Sequence, residues 1–336
     1  MPRYLDMELA DKETPISWSS GTANLEAVHI FEITSIYAVN AAIASGRPLL
    51  IRGEPGVGKS QLARAAAKWL QRVFIPFTVD IRTEAQDLLW HFDSVQRLAE
   101  AQIAGALTLR SGARSQPILE QHKDAIRAEM AISKFVHPGP LWWAFDWDNA
   151  KRQAEKAHSP TPPKEDDAES GNGSVLLIDE IDKAEADVPN GLLEALGAGQ
   201  FTPTGQLTPV VARQPYPLIV ITTNEERALP DAFLRRCMVL NMELPAERNT
   251  LIGLLVKRGA THFPEVTLDV RQRAAEQLHQ DRAEAARQGR RPLPGQAEYM
   301  DLLRALHNQR RNDPSAQIDL LDRIKDFALR KYSATV

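Results

Sequence analysis

The chain has 336 residues, 43% of them hydrophobic and 25% charged, which suits one large or two modest cores of an ordinary globular protein. A net charge of −4 gives no global basic signature of nucleic-acid binding, and a single cysteine, Cys237, excludes an internal disulfide. No apolar run reaches the roughly 18 residues of a membrane span, and Met1 to Ala10 lack a secretion signal's apolar stretch, so a cytoplasmic setting is expected.

The first two dozen residues are polar, punctuated by Pro15 and Gly21, and read as an N-terminal arm over 1–24. From Leu25 to Ala44 apolar residues recur at helical spacing (Val28, Phe31, Ile36, Val39, Ile43), and Gly46 stops the predicted helix. Pro48–Ile51 is a short apolar strand, Gly53–Ser60 a glycine-rich turn, Gln61–Leu70 a helix and Val73–Val79 a second strand. That alternation is a βαβ unit and implies a parallel sheet.

Thr83 to Lys156 is mostly helical in pattern, with a Pro138–Gly139–Pro140 turn running into Leu141, Trp142 and Trp143. Residues 158–174 hold almost nothing apolar and read as a mobile surface loop. Val175–Ile178, Leu218–Thr222 and Met238–Met242 give three more strands. Beyond Pro245 only helices are predicted, over Ala246–Arg258, Val270–Gln288, Gln296–Asn308 and Ile318–Tyr332. The expected fold is α/β, a P-loop parallel-sheet domain over 25–244 followed by a small all-helical lid over 245–336. Cys237, at the start of the fifth strand, reads as a small buried hydrophobe rather than a reactive thiol.

Two patterns carry chemistry. Gly53-Glu54-Pro55-Gly56-Val57-Gly58-Lys59-Ser60 satisfies G-x-x-x-x-G-K-[ST] at every fixed position. Glycines let several backbone N–H groups converge on one anion, and the following helix adds its positive end. Lys59 supplies a mobile charge for β- and γ-phosphates, and Ser60 a hydroxyl oxygen for Mg²⁺. Downstream, the apolar run Val175–Ile178 ends in Asp179 and Glu180, at the strand edge where α/β sheets bind ligands. Asp179 is the expected Mg²⁺ holder. Glu180 is placed to polarise an attacking water, and a second carboxylate beside the metal residue points to hydrolysis rather than nucleotide holding.

Further segments follow in order: Ile181-Asp182-Lys183-Ala184, Gly199-Gln200-Phe201-Thr202-Pro203-Thr204-Gly205, Ile219 to Arg227, and Leu229 to Cys237. From about Leu49 to Pro245 the chain resembles the MoxR-type AAA+ ATPases. The resemblance implies ATP hydrolysis with Mg²⁺, a homo-oligomeric ring, six subunits being usual, and a protein client, typically one bearing a von Willebrand factor A domain. It implies that Asn224 senses the γ-phosphate and that Arg235 or Arg236 reaches into a neighbouring subunit's nucleotide. It likens Phe201–Arg213 to a hairpin inserted before Asn224, and the stretches near Asp80–Trp90 and His137–Phe145 to a second insertion, such hairpins lining the ring's central face and touching the client. Trp90, Trp142, Trp143 and Phe145 are equally readable as packing aromatics. Where the family often carries a lid arginine this chain has Ala297. Arg291 is the alternative cation from the preceding loop, or that function is absent. A nucleic-acid motor and a nucleotide switch with little turnover stand as rival readings, the first opposed by the acidic balance and the second by Glu180.

Overall fold

The computed structural model describes residues 3–11, 14–20, 25–110, 130–164, 168–311 and 313–329. Parts of the expected N-terminal arm, of the helical stretch before Lys156 and of the 158–174 loop, and the end of the last predicted helix, lie outside the described residues.

In chain order, α1 (Glu8–Asp11) precedes a hairpin of β1 (Pro15–Ser20) and β2 (Leu25–Ile30), then α2 (Ile33–Ser45), β3 (Leu49–Arg52), α3 (Lys59–Leu70) and β4 (Val73–Thr78). Next come α4 (Ala85–Leu89), β5 (Trp90–Phe92), α5 (Ser94–Arg110), β6 (Val136–Pro138), α6 (Pro140–Phe145) and α7 (Trp147–Lys156). The α/β part is completed by β7 (Ser174–Asp179), α8 (Asp187–Ala198), β8 (Gln200–Phe201), β9 (Val210–Val211), β10 (Leu218–Thr223), α9 (Asp231–Leu234) and β11 (Met238–Asn241). Helices α10 (Arg248–His262), α11 (Leu268–Arg287), α12 (Gln296–Gln309) and α13 (Pro314–Leu329) form the C-terminal region. Among the described residues no helix is long and apolar enough to cross a membrane.

The central sheet has five parallel strands in the order β11-β3-β10-β7-β4. Its apolar strands alternate between two cores, as a doubly covered parallel sheet requires. Leu50, Leu176, Ile178, Ile219 and Ile221 point to one face, under α6, α7 and α8. Leu49, Ile51, Val175, Leu177, Leu218 and Val220 point to the other, under α2, α3 and the β1–β2 hairpin. Each such fully buried side chain contributes on the order of 2 kcal/mol. A third apolar cluster, with Leu255, Leu278, Tyr299 and Leu303, builds the lid.

The helix expected over Leu25–Ala44 is corrected. Residues 25–30 pair antiparallel with β1, and the helix begins only at Ile33, where the Ser35 hydroxyl accepts from the Glu32 N–H at 3.2 Å. It ends as expected, at a left-handed Gly46. The segment before it is no loose arm in its described part, because Leu5, Leu9, Ile16 and Trp18 are buried in the core beside α2 and α3. The stretch before Lys156 is not helical throughout: β5 and β6, within the two segments likened to an inserted hairpin, pair antiparallel. Trp142, Trp143 and Phe145 are buried core aromatics, and Trp90 stacks on Phe201 with ring centroids 5.8 Å apart. Cys237 is buried as expected, and that burial pushes its thiol up to about 11.

Candidate functional site

The phosphate-loop sequence forms the connection from β3 to α3. Gly53 has φ +152°, and a Cβ there would stand 2.0 Å from the Met242 carbonyl oxygen, so only glycine passes beside the end of β11. Lys59 opens α3 and is 7% exposed. Its Nζ donates to the carbonyls of Gly53 (2.6 Å) and Glu54 (3.0 Å) and to Asn224 Oδ1 (2.7 Å). Burial draws its pKa below the usual ammonium range, and nearby Asp179, Asp182, Glu180 and Glu54 oppose that shift.

Asp179 ends β7 next to β10. Ser60 Oγ donates to its two carboxylate oxygens at 2.8 and 2.9 Å, and Thr222 Oγ1 donates to Oδ1 at 2.5 Å. The Thr222 hydroxyl in turn accepts from the Glu180 N–H at 2.9 Å. That bond helps hold Glu180 in a left-handed conformation (φ 60°, ψ 48°), a backbone state costing a non-glycine residue about 1 kcal/mol or more. The Glu180 carboxylate receives Lys183 Nζ at 2.5 Å and Asn224 Nδ2 at 3.5 Å. Asp182, 2% exposed, accepts from the backbone N–H groups of Asn224 (3.2 Å) and Glu226 (3.0 Å), which fixes the turn after β10.

These groups face a cleft of about 380 Å³ between sheet and lid. Pro55, Gly56, Gly58, Lys59, Ser60, Asp179, Glu180 and Asn224 line it from below, and His262, Gln296, Ala297, Met300, Asp301 and Arg304 from above. Of the residues expected from the sequence, the fold therefore brings together most of the loop, the acidic pair and Asn224. Val57 instead packs into the lid core, and the Glu54 side chain turns toward lid arginines. Arg235 and Arg236 are exposed just before β11 and do not line this cleft; Arg47 holds both of their carbonyls. Arg291 does not line it either, being paired with Glu54 at 3.3 Å. The lid cation that does is Arg304, held by Asp301 Oδ1 at 2.7 Å.

Sequence reasoning assigned no role to Thr222, Asp182 or Arg304. Signals existed for the last two. Asp182 stands three residues after Asp179 in a short helical turn, and Arg304 stands seven after Ala297, which returns it to the same helix face two turns on. Ser60 and Asp179 fit a small hard cation, a hydroxyl and a carboxylate side by side with no nitrogen or sulfur donor. Among the described residues no group of three or more His, Cys, Asp or Glu side chains could hold a metal ion by itself. A one-carboxylate set of this kind suits an ion that also takes phosphate oxygens and water.

A family model described as "AAA domain (dynein-related subfamily)" matches residues 48–237. No curated protein matches the chain significantly. Among solved structures, a variant of Thermotoga maritima RuvB shares 17% identity, covering 87% of this chain and 68% of its own, with a TM-score of 0.43. A second variant of that protein gives 16%, 86%, 67% and 0.42. A candidate ATPase from Cytophaga hutchinsonii gives 14%, 84%, 66% and 0.37.

Proposed function

The chain belongs to the dynein-related subfamily of AAA domains, and from that premise we propose that it is an ATP-hydrolysing subunit of a homo-oligomeric ring that remodels or activates a protein partner. The observation that carries the ATPase reading is the convergence of Lys59, Ser60, Asp179, Glu180 and Asn224 at one sheet edge, where Asn224 bonds Lys59 and Glu180, Ser60 bonds Asp179, and Thr222 joins the two sets. The loop N–H groups and Lys59 bind the phosphates, and Arg304 offers a second cation from the lid. Ser60 and Asp179 would hold Mg²⁺, which would offset the negative charge of the phosphates. Glu180 orients and deprotonates the attacking water, with Asn224 setting its direction. Thr222 keeps Asp179 and Glu180 in register, since one hydroxyl serves both residues.

Arg235 and Arg236, exposed and apart from the chain's own cleft, are available to a neighbour's nucleotide, which supports a ring. The segment order shared with MoxR-type proteins supports a protein client, including one with a von Willebrand factor A domain. Leu207, fully exposed between β8 and β9, is the apolar contact we assign to that client.

ATP turnover moves a partner only when two nucleotide states bind it differently. With ATP, Glu180→Gln is therefore expected to accumulate a protein complex that Leu207→Ser weakens, read by pulldown from native lysate. Capture of nucleic acid instead of protein would overturn the remodelling assignment. Specific activity is expected to rise with protein concentration; full activity from a dilute monomer would overturn the ring.

A further inference from the structure

The tip of the phosphate loop is seated in the lid. Val57 belongs to the lid's apolar cluster and to neither face of the sheet. Gly56, with φ +78°, lies so close to α12 that a Cβ on it would stand 2.6 Å from the Ala297 methyl. Glu54 completes the contact with charge. Its Oε2 accepts from Arg282 Nη2 at 2.6 Å and its Oε1 from Arg291 Nη1 at 3.3 Å. The main-chain carbonyl of the same Glu54 accepts from Lys59 Nζ at 3.0 Å. One residue thus touches the phosphate-binding lysine with its backbone and the lid with its side chain.

The two arginines are not equivalent. Arg291 is 72% exposed, so water and salt screen its charge. The Arg282 side chain is 16% exposed and doubly fixed, because its Nη1 also donates to the Pro294 carbonyl at 3.0 Å in the turn before α12. A desolvated, geometrically fixed guanidinium leaves a costly bare charge when its partner is removed. The strong link between loop and lid is therefore Glu54 with Arg282.

We infer that Arg282 is a positioning residue for the nucleotide, acting through Glu54 to keep the lid docked on the phosphate loop. The inference rests on the nucleotide site proposed above. It adds that the upper wall of the cleft, Ala297 and Arg304, keeps its distance from Lys59 through an ion pair that touches no ligand. When the pair is lost the lid opens more often, and bound ATP escapes faster. Chemistry on molecules that stay bound changes little.

The test is stopped-flow dissociation of N-methylanthraniloyl-ATP, chased with ATP, for wild type, Glu54→Gln, Arg282→Met and the double variant, with steady-state turnover alongside. Each single change is expected to raise the dissociation rate and KM about ten-fold with kcat within about three-fold, and the double variant is expected to be no worse than the worse single. If Arg282→Met does not fold, Glu54→Gln, a change of one atom type, carries the same expectation. Rates within two-fold of wild type, single effects that multiply in the double variant, or a fall in kcat at unchanged KM would overturn the role. Lys59→Ala separates the two levels. If it loses binding while the Arg282 variants behave as wild type, only the positioning role falls; if it binds normally, the site itself falls and this role with it.

Discussion

His29 links the fold's stability to acid. It sits on β2 beside the cleft wall, its ring edge-on to Phe31 at 5.1 Å between centroids, and is only partly exposed. Burial pushes its pKa down to about 3 from an ordinary 6.5, helped by the positive charge of Arg258 and by His262. The unfolded chain therefore takes up a proton on this residue as pH falls below 6.5, while the folded chain refuses it until about 3. Stability attributable to His29 is complete above pH 6.5 and drains away through that window. At roughly 1.4 kcal/mol per pH unit, the loss by pH 4.5 is about 3 kcal/mol, which residual solvent contact reduces to about 2 kcal/mol. His29→Leu removes the titration and keeps an apolar group of similar size. Melting curves from pH 7.5 to 4.5 are expected to fall about 5 °C further for wild type than for the variant, whatever their offset at neutral pH. Parallel acid limbs would refute the reasoning.

Three further substitutions probe the site. Asp182→Ala removes the acceptor of two backbone N–H groups and frees the turn carrying Asn224, so turnover is expected to drop by about ten-fold or more with ATP affinity nearly kept, as calorimetry and phosphate release will show. Arg304→Ala removes the lid's cation from the cleft and is expected to weaken ATP binding about ten-fold while ADP, one phosphate shorter, loses less. Gly53→Ala forces a methyl against the Met242 carbonyl and is expected to lower stability by about 2 kcal/mol or more together with nucleotide affinity; an unchanged melting temperature would contradict the close approach.

Legibility in the sequence followed the range of the interactions. The five central strands and the loop after β3 were readable because each is a contiguous run whose pattern demands a particular backbone, as in Val175–Asp179. The β1–β2 pairing was missed because Val28 and Phe31 are spaced for a helix, while the pairing that makes 25–30 a strand comes from residues 15–20, outside that local pattern. Trp142 and Phe145 could be read as core or as surface, since an aromatic residue's type does not reveal its burial. Arg282 was invisible for another reason: its partner Glu54 lies 228 residues away, and one exposed-looking Arg among several on α11 carries no local mark. Arg304 carries no local mark of its own, although the helical period connects it to position 297.

The most direct measurement is phosphate release from ATP and Mg²⁺ by wild type, Lys59→Ala and Glu180→Gln, paired with ATP binding for each. Wild type is expected to turn over. Lys59→Ala is expected to neither bind nor turn over, and Glu180→Gln to bind normally with turnover reduced by about 10² or more. Wild-type turnover in Glu180→Gln, or undiminished ATP affinity in Lys59→Ala, would contradict the assignment of this cleft as the hydrolytic site.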